Sequence, residues 1–494
     1  MNSSYVQKEN VVALKGKVVK MIHQFKNNGY FIVMDVNSGS IHIVDELVYD
    51  ILPLYEKMAK EKHEGEKILA EEIMPALCEE EPQRYEADSP DLKEKINEAL
   101  EDIHELIEEE QLFTEDIYEN YLVDVSKRQT VVKALCLHIA HDCNLSCQYC
   151  FAGEGEYHGE RDLMSYEVGK QALDFLVANS GNRRNLEVDF FGGEPLLNFP
   201  VVKKLVEYGR SLEEAHQKKF RFTLTTNGVA LNDEIMEFAN REMANVVLSI
   251  DGRKQVHDRM RPFPNGSGSY DLILPKFRRF AESRKQTNYY VRGTFTHHNL
   301  DFSKDVLHLA DLGFQQISVE PVVAPPTEDY AIQKEDLPML MKEYDDLAAE
   351  LVRRKKKGEG FQFFHFMIDL EGGPCVAKRL SGCGSGTEYL AVTPWGDLYP
   401  CHQFVGQEDF LIGNVFDGIK NTDLQDEFKR CNVYSKEECK HCFAKFYCSG
   451  GCAANSYNFH GNITDPYEIG CELQKKRVEC AIMIKAAMAD VYTC

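Results

Sequence analysis

The chain has 494 residues, 43% of them hydrophobic and 28% charged, which is enough apolar material for roughly two to four globular domains. Its formal net charge of −24 argues against nucleic acid as a partner, because proteins that bind a phosphate backbone usually present a basic face. No run approaches the ~18 apolar residues of a membrane span, and the N-terminus lacks the order of a signal peptide, so we expect a cytoplasmic protein without a membrane partner.

The first region, residues 1–110, predicts a small sheet with a few helices. We expect strands at 18–25, 30–36 and 40–46, with a hairpin turn at 37–39, and helices at 46–54, 69–78 and 92–111. This pattern is typical of a winged-helix module, which can bind a peptide by adding it as a strand at a sheet edge. A plain packing domain fits the same pattern. Residues 111–130 are predicted to form a linker.

The second region, residues 131–335, alternates strands and helices. The predicted strands are 134–140, 186–191, 220–226, 246–250, 290–295 and 316–320. Six such units predict a parallel sheet, although periodicity does not tell whether the sheet closes. Residues 336–370 are expected to be a bridging helical segment. The third region, 371–494, shows little regular pattern and many cysteines.

Sixteen cysteines without a secretory signal indicate metal binding or catalysis rather than a disulfide framework. Cys143, Cys147 and Cys150 form a C-x3-C-x2-C pattern directly after the first strand of the second region. A 4Fe–4S cluster uses four thiolates, so three cysteines would leave one iron open to a small molecule. A zinc site or three buried thiols is the alternative interpretation.

This loop, with Tyr149 before its last cysteine, resembles the radical S-adenosylmethionine (SAM) superfamily. The resemblance implies a partial (β/α)6 barrel and SAM bound to the open iron through its amino and carboxylate groups. The segment 191–195, FGGEP, matches the family's GGEP turn, and TTNG, SIDG and HDRMRP follow in order at or after strand ends. The residues implied to contact SAM are Tyr149, Gly192, Gly193, Glu194, Thr226, Ser249, Asp251 and Arg261. No side chain stands out as a catalytic acid or base.

The last region resembles the cysteine-rich SPASM domain, which in its family holds two auxiliary 4Fe–4S clusters. The resemblance implies that Cys439, Cys442, Cys448 and Cys471 hold one auxiliary cluster, and that Cys383, Cys401 and Cys452 hold the other. With the loop cluster, this makes three clusters. The second set lacks a fourth ligand, which is either Cys375 or a substrate thiolate.

As a whole, the chain is most similar to the thioether-forming maturases of SCIFF peptides (six cysteines in forty-five residues). That resemblance implies reductive cleavage of SAM to a 5′-deoxyadenosyl radical, and a cross-link between a Cys sulfur and a carbon of an acceptor residue. The implied partners are a Cys-rich precursor peptide with a leader and a low-potential electron donor such as flavodoxin or ferredoxin.

Two alternatives remain at this point. An anaerobic sulfatase-maturing enzyme, which generates formylglycine, shares the barrel and both auxiliary clusters but does not need the N-terminal region. A non-catalytic iron–sulfur electron carrier is the alternative from another class, and it would need no SAM pocket.

Overall fold

The computed structural model describes residues 21–62, 67–86, 89–121, 131–157, 159–370 and 376–489. The chain divides into two compact units. The first comprises residues 1–24 and 31–121, and the second comprises residues 25–30 and 122–494. None of the described helices is long and apolar enough to cross a membrane.

The predicted small sheet is present near the N-terminus. Its strands are β1 (Ile22–Asn27), β2 (Tyr30–Asp35) and β3 (Ile41–Val44), in that order, and its helices are α1 (Glu46–Ala59), α2 (Ala70–Glu80) and α3 (Pro90–Glu108). β2 and β3 are antiparallel. The third strand is shorter than predicted because Asp45 caps α1, accepting a hydrogen bond from the Val48 amide at 2.8 Å. Residues 18–20 of the first predicted strand lie outside the described residues.

The first unit has its own hydrophobic core, which explains why it separates from the rest. Apolar side chains from all three helices meet in it, and most are almost fully buried. The central ones are Ile51, Ile73, Ile96 and Ile103.

The second unit is built on one sheet of eleven strands. These are β4 (Ala134–Ala140), β5 (Asn185–Gly192), β6 (Lys219–Thr226), β7 (Met243–Ser249), β8 (Tyr289–Phe295), β9 (Gln316–Pro321), β10 (Gln362–Phe363), β11 (Tyr389–Val392), β12 (Asp397–Tyr399), β13 (Gly413–Asn414) and β14 (Gly418–Ile419). The strand order is β10-β9-β8-β7-β6-β5-β4-β11-β12-β13-β14.

The six predicted barrel strands, β4 to β9, are parallel neighbours in sequence order. In the described part of the chain β4 and β9 do not pair; β4 pairs instead with β11, and β9 pairs with β10. The sheet is therefore an open, partial barrel. Since β11 is parallel to β4 and β11 to β14 are antiparallel, the cysteine-rich region extends the barrel sheet.

Helices connect and follow the barrel strands, because parallel neighbours cannot be joined by a tight hairpin. They are α4 (Tyr166–Asn179), α5 (Phe199–His216), α6 (Asp233–Glu242), α7 (Lys254–Met260), α8 (Tyr270–Ser283), α9 (Phe302–Asp311) and α10 (Leu337–Lys356). Ser165 caps α4, as its position predicts, by accepting from the Val168 amide at 3.2 Å. The sheet face under these helices carries fully buried aromatic side chains, including Phe190, Phe220 and Phe222.

The C-terminal region is more regular than its sequence pattern indicates. It contains α11 (Val376–Ser381), α12 (Thr422–Arg430), α13 (Glu437–Lys440), α14 (Lys445–Cys448), α15 (Ala453–His460) and the 22-residue α16 (Glu468–Ala489). α16 cannot be recognised from the sequence, because five consecutive residues, 480–484, are all buried. The helix therefore lacks the apolar stripe of a surface helix. It packs along α10.

Candidate functional site

The three-cysteine loop lies at the carboxyl end of β4, where parallel sheets place their chemistry. β4 is buried along its whole length, so the start of the loop is fixed by the core. Cys143, Cys147 and Cys150 are free thiols, each partly buried. The sequence therefore delivers three unpaired thiols to one end of the barrel.

The loop backbone forms hydrogen bonds with the end of α7 and the residues that follow it. The Ser146 amide donates to the Pro262 carbonyl, and the Gln148 amide donates to the Met260 carbonyl, both at 2.9 Å. These two bonds flank Cys147 and bring the residue between Met260 and Pro262, Arg261, to the loop.

Burial raises the pKa of both Cys143 and Cys147 to about 12. The Glu194 carboxylate adds to the rise at Cys143, whereas the Arg261 guanidinium opposes it at Cys147. The thiols also act on one another, since Cys150 contributes at both positions. Without a metal these groups hold their protons, so metal binding must release them.

The donor set of the loop fits a polynuclear cluster better than a single ion. Among the described residues, no three His, Cys, Asp or Glu side chains converge as one metal ion requires. A 4Fe–4S cluster has no such requirement, because each thiolate binds a different iron. Three free thiols without a fourth cysteine in the loop fit three corners of that group.

The turn after β5 approaches the cysteine loop so closely that only glycine fits. A Cβ at Gly193 would lie 2.1 Å from the Asp142 carbonyl oxygen. Gly192 has φ of +117°, and a Cβ there would lie 2.4 Å from the Ala140 oxygen. Because glycine has no side chain, the backbone of this turn can contact the backbone of the cysteine loop beside the thiols.

Glu194 connects the ends of β5 and β6. It is 1% exposed, and its carboxylate accepts from the Thr226 hydroxyl at 2.7 Å, the Asn227 amide at 2.8 Å and the Leu196 amide at 3.1 Å. Burial raises its pKa to about 7, although these three donors oppose the shift. Its position is fixed by the protein before any ligand binds.

Asn227 also reaches the cysteine loop. Its side-chain amide donates to the Cys143 sulfur at 3.6 Å and to the Asn144 side-chain carbonyl oxygen at 2.7 Å. The sequence pattern pointed to Thr226 in this segment, but Thr226 serves Glu194, and it is Asn227 that contacts a thiol.

Asp251 accepts hydrogen bonds from three other groups of the site. The Tyr149 hydroxyl donates to its two oxygens at 2.8 and 2.7 Å, and Arg261 Nε donates to them at 3.0 and 3.1 Å. The Thr294 amide adds a further bond at 2.9 Å, and the Arg261 guanidinium lies 5.3 Å from the Tyr149 ring centre. Asp251 thereby orients Tyr149 and Arg261 beside Cys147.

His257 has a structural position in the predicted HDRMRP segment. It is fully buried, accepts from the Asp251 amide at 3.3 Å, and lies 2.9 Å from the Ser269 hydroxyl. Burial lowers its pKa to about 4, so the ring is neutral. Ser249, the last residue of β7, lies in register with Arg292 of β8.

A second group of thiols lies in the extension of the sheet. Burial raises the pKa of Cys401 to about 12, and the neighbouring Cys452 and Cys383 add to the rise. Cys383 likewise raises the pKa of Cys452, where burial is again the main cause. The structure thus brings together the three cysteines assigned to one auxiliary cluster.

A third group contains the other four cysteines. Burial raises the pKa of Cys471 to about 12, with contributions from Cys448, Cys439 and Cys442. At Cys439 the pKa is about 11, again mainly through burial, with contributions from Cys448 and Cys442. These four thiols share one place, in the combination implied by the resemblance.

Among the remaining cysteines, Cys375, the candidate fourth ligand, lies outside the described residues. Cys136 is buried on β4, and burial raises the pKa of its thiol well above the usual range. Cys431 is partly buried, and its thiol lies 3.3 Å from the Ile463 carbonyl oxygen.

The inner face of the barrel carries an ion pair that the sequence analysis did not single out. Phe295 points outward, stacking on Phe302 of α9, so Arg292 and Thr294 of β8 face inward by alternation. Arg292 pairs with Glu320 of β9 at 3.0 Å, with side chains 49% and 35% exposed. Alternation along β8 and β9 indicates that both side chains face inward, but it does not indicate that they pair.

A cavity lies away from this site. It measures about 500 Å³ and opens among the amino ends of β5 to β9, with Glu187 and Arg221 in its lining. The cysteine loop is at the carboxyl ends of the strands, so this cavity does not belong to the site.

Comparison with known proteins agrees with this geometry. The family described as a 4Fe-4S single cluster domain matches residues 132–274, which include the loop, the glycine turn and Arg261. The radical SAM cyclopropyl synthase TigE of Paramaledivibacter caminithermalis is 21% identical, covering 70% of this chain and 72% of that protein. A cysteine-type anaerobic sulfatase-maturating enzyme of Clostridium novyi is 23% identical, covering 68% of this chain and 92% of that protein.

The chain is similar in sequence to radical SAM peptide-modifying enzymes. The solved structure of hexahistidine-tagged anSMEcpe with bound AdoMet has the same fold, with a TM-score of 0.62, 21% identity, and coverage of 72% of this chain and 95% of that one. The predicted resemblance and the predicted α/β radical SAM fold class are therefore confirmed.

The predicted site residues fall into three places. Tyr149, Glu194 and Arg261, with the other residues implied to contact SAM, lie at or near the carboxyl ends of the barrel strands, and the two remaining cysteine sets lie in the C-terminal region. Asn227, Arg292 and Glu320 were missed. Which atoms of SAM each residue contacts, and which thiols bind iron, stay predictions.

Proposed function

We propose that this protein is a radical SAM enzyme that installs a thioether cross-link between a Cys sulfur and a carbon of an acceptor residue in a ribosomally made, Cys-rich precursor peptide. The observation that carries the proposal is the N-terminal unit, which has its own core and contributes most of a three-stranded sheet with two edges. An enzyme acting on a short motif has no need of such a unit, whereas a maturase can bind a leader with it.

The proposed cofactors are three 4Fe–4S clusters and SAM. Cys143, Cys147 and Cys150 would hold the first cluster, and the two other thiol sets would hold the auxiliary clusters. When bound, the first cluster supplies the electron that cleaves SAM to methionine and a 5′-deoxyadenosyl radical.

The chain's own residues supply position. The glycine turn brings backbone beside the thiols, and Glu194 fixes that turn against the end of β6. Asp251 holds the Arg261 guanidinium next to Cys147 and above the Tyr149 ring. A planar guanidinium suits the carboxylate of SAM, and we assign Arg261 that role. Gly192, Gly193, Thr226 and Ser249 complete the proposed pocket at the strand ends.

Forming a C–S bond from a C–H and an S–H group removes two hydrogen atoms from the peptide. One is taken as a hydrogen atom by the 5′-deoxyadenosyl radical, which becomes 5′-deoxyadenosine. The other leaves as a proton and an electron. The region that contains the auxiliary thiol sets is joined to the barrel through the pairing of β11 with β4, which supports a path for that electron. A low-potential carrier such as flavodoxin or ferredoxin would supply the first electron.

The leader would be held by the N-terminal unit as an added strand at the edge of β1 or β3. Tethering raises the effective concentration of the peptide core without any new contact at the barrel. The unit would therefore affect binding and leave the chemistry unchanged.

A formylglycine-generating function is the second candidate, and a specific finding favours it. The sulfatase-maturating enzyme of Clostridium novyi and anSMEcpe share most of their length with this chain. That reaction oxidises a Cys or Ser side chain and does not join two residues.

The test is to incubate reconstituted protein anaerobically with SAM, dithionite and a Cys-rich precursor peptide, and to measure 5′-deoxyadenosine and peptide mass. We expect a product that has lost two hydrogen atoms and kept all its sulfur. A product that has lost a sulfur atom, or one that has lost two hydrogen atoms while every Cys thiol still reacts with iodoacetamide, would identify the sulfatase-maturing reaction. SAM left intact with every peptide would leave only the electron-carrier alternative.

A further inference from the structure

The C-terminal region buries a lysine that has no acidic partner. Lys436 is 3% exposed, and its ammonium donates to the Gly450 carbonyl at 2.7 Å. The nearby Cys431 thiol is neutral, because burial raises its pKa. No Asp or Glu of the described residues forms an ion pair with Lys436. Lysine is almost never buried unless its charge is paired, because an ammonium loses its hydration in the interior.

A carbonyl and a neutral thiol do not balance the charge of this ammonium, which carries three N–H donors. The negative charge must come from another nearby group. The position of Gly450 points to the candidates, because it lies two residues after Cys448 and two residues before Cys452. Lys436 itself precedes Cys439 by three residues, and its carbonyl accepts from the Cys439 amide at 3.1 Å.

Lys436 contacts backbone beside cysteines of both auxiliary sets. The Gly450 carbonyl, 2.7 Å from the ammonium, belongs to the short segment that joins Cys448 to Cys452, and the Lys436 carbonyl accepts from the Cys439 amide at 3.1 Å. Cys452 belongs to the auxiliary set of three, whereas Cys439 and Cys448 belong to the set of four. One buried cation therefore faces two thiol sets.

We propose that Lys436 is the buried counter-charge shared by the two auxiliary thiol sets, and that it sets the reduction potential of the clusters they hold. This inference rests on the proposed iron–sulfur assignment. Thiolate-bound clusters carry negative charge, and their potentials depend on the charge and hydrogen bonds around the sulfurs. A fixed cation favours the reduced form, which is the more negative one, and so raises the potential.

Lys445 provides a matched control. It is 2% exposed in the same region, but its ammonium lies 5.3 Å from the Tyr434 ring centre and 4.9 Å from the Phe446 ring centre. Ring faces stabilise a buried cation, so Lys445 lies in a different environment from Lys436. Replacing it removes an equally buried charge from the same region.

The experiment compares wild type, Lys436→Met, Lys436→Arg and Lys445→Met, each reconstituted anaerobically. Iron and sulfide per chain, circular dichroism and an EPR-monitored redox titration are measured. We expect Lys436→Met to lower an auxiliary potential so that, at a fixed donor potential, the reduced-to-oxidised ratio falls about tenfold, about 59 mV for one electron. Lys436→Arg and Lys445→Met should titrate like wild type, and the SAM-cluster signal should not move.

Full iron content with unchanged potentials in Lys436→Met would overturn the proposal. If Lys436→Met loses iron, the iron content of Lys436→Arg shows whether the charge or only the shape of the side chain matters. Iron retained in Lys436→Arg and Lys445→Met supports a charge role, whereas equal loss in Lys436→Arg with an intact fold means that shape alone matters and overturns it. Zinc, or no iron, in the wild type would instead refute the cluster assignment of the proposed function.

Discussion

At the scale of single residues, the site is positioned by buried carboxylates whose hydrogen bonds come from the protein itself. Glu194 accepts three hydrogen bonds from the ends of neighbouring segments, and Asp251 accepts bonds from Tyr149, Arg261 and Thr294. A buried carboxylate left without such donors would be strongly destabilising. These carboxylates are therefore parts of the frame that positions Arg261 and the glycine turn, whatever SAM adds when it binds.

Cys147 tests the assignment of the loop. In Cys147→Ala the cluster loses one of its three protein ligands, and we expect SAM cleavage to fall by more than about 100-fold, since even outer partners of a metal cost 10–100-fold. Iron content and 5′-deoxyadenosine are the measurements. Cys78→Ala, a partly buried cysteine of α2, is the control and should retain both. Normal turnover in Cys147→Ala would rule out the cluster ligand role.

Gly193 tests the close approach of the turn. In Gly193→Ala the added Cβ would lie 2.1 Å from the Asp142 oxygen, so the turn must move, at a cost of about 3 kcal/mol in unfolding free energy. We also expect weaker SAM binding with the loop iron retained. Gly159→Ala is the control, because its Cβ would meet its nearest atom at 3.6 Å. Urea unfolding and SAM titration measure both effects, and equal behaviour of the two variants would contradict this geometry.

At the scale of elements, the barrel strands place one face toward the helices and the other toward the proposed substrate. Arg292 lies opposite Ser249 across β7 and β8, and Glu320 lies opposite Thr294, whose amide binds Asp251. The Arg292–Glu320 pair is thus beside the site yet half exposed, with donors and acceptors that match a peptide backbone.

We expect Arg292→Met or Glu320→Gln to lower the rate of peptide modification by about 100-fold, because small misplacements of a reacting group cost that much. SAM cleavage without peptide should persist, since neither residue contacts the loop thiols. The ratio of 5′-deoxyadenosine to modified peptide is the measurement.

Arg221→Met is the matched control for the inner ion pair. Arg221 pairs with Glu187 at 3.8 Å on β5 and β6, but at the amino ends of the strands. It should keep the wild-type ratio. If Arg221→Met changes the ratio of 5′-deoxyadenosine to modified peptide as much as Arg292→Met does, the effect is general to the barrel and not specific to the site.

The barrel strands could be predicted closely from the sequence, because alternation and turn residues are local signals. β4, for instance, has the predicted bounds, and the cysteine spacing marked the loop directly. α16 could not be predicted, since burial on all sides removes the helical stripe. Nor could the Arg292–Glu320 pair, which depends on the register between β8 and β9 rather than on a motif.

At the scale of the whole molecule, the chain combines two compact units with separate cores. The first contains none of the thiol sets, and the second contains all three. This division supports separate tasks, with recognition of the leader assigned to the first unit and chemistry assigned to the second. Domain boundaries at 110 and 130 stay predictions.

Removal of residues 1–110 tests that division. We expect the affinity for the full precursor peptide to fall at least about tenfold, because the leader no longer raises the effective concentration of the core. SAM cleavage should persist. Wild type given a peptide without its leader is the control and should match the truncated chain. Unchanged affinity for the full precursor would refute leader binding by this unit.

The most direct test of the whole account is the fate of deuterium from the peptide. The precursor is made with deuterium on the carbons of every residue except cysteine, and is then incubated with SAM, dithionite and the reconstituted protein. Thioether formation predicts deuterium in 5′-deoxyadenosine and a peptide that keeps all its sulfur but has one fewer Cys thiol that reacts with iodoacetamide. Unlabelled 5′-deoxyadenosine with a peptide that has lost sulfur would contradict the account, because hydrogen would then have come from cysteine itself. Labelled 5′-deoxyadenosine with every thiol still reactive would contradict it as well, because no C–S bond would have formed.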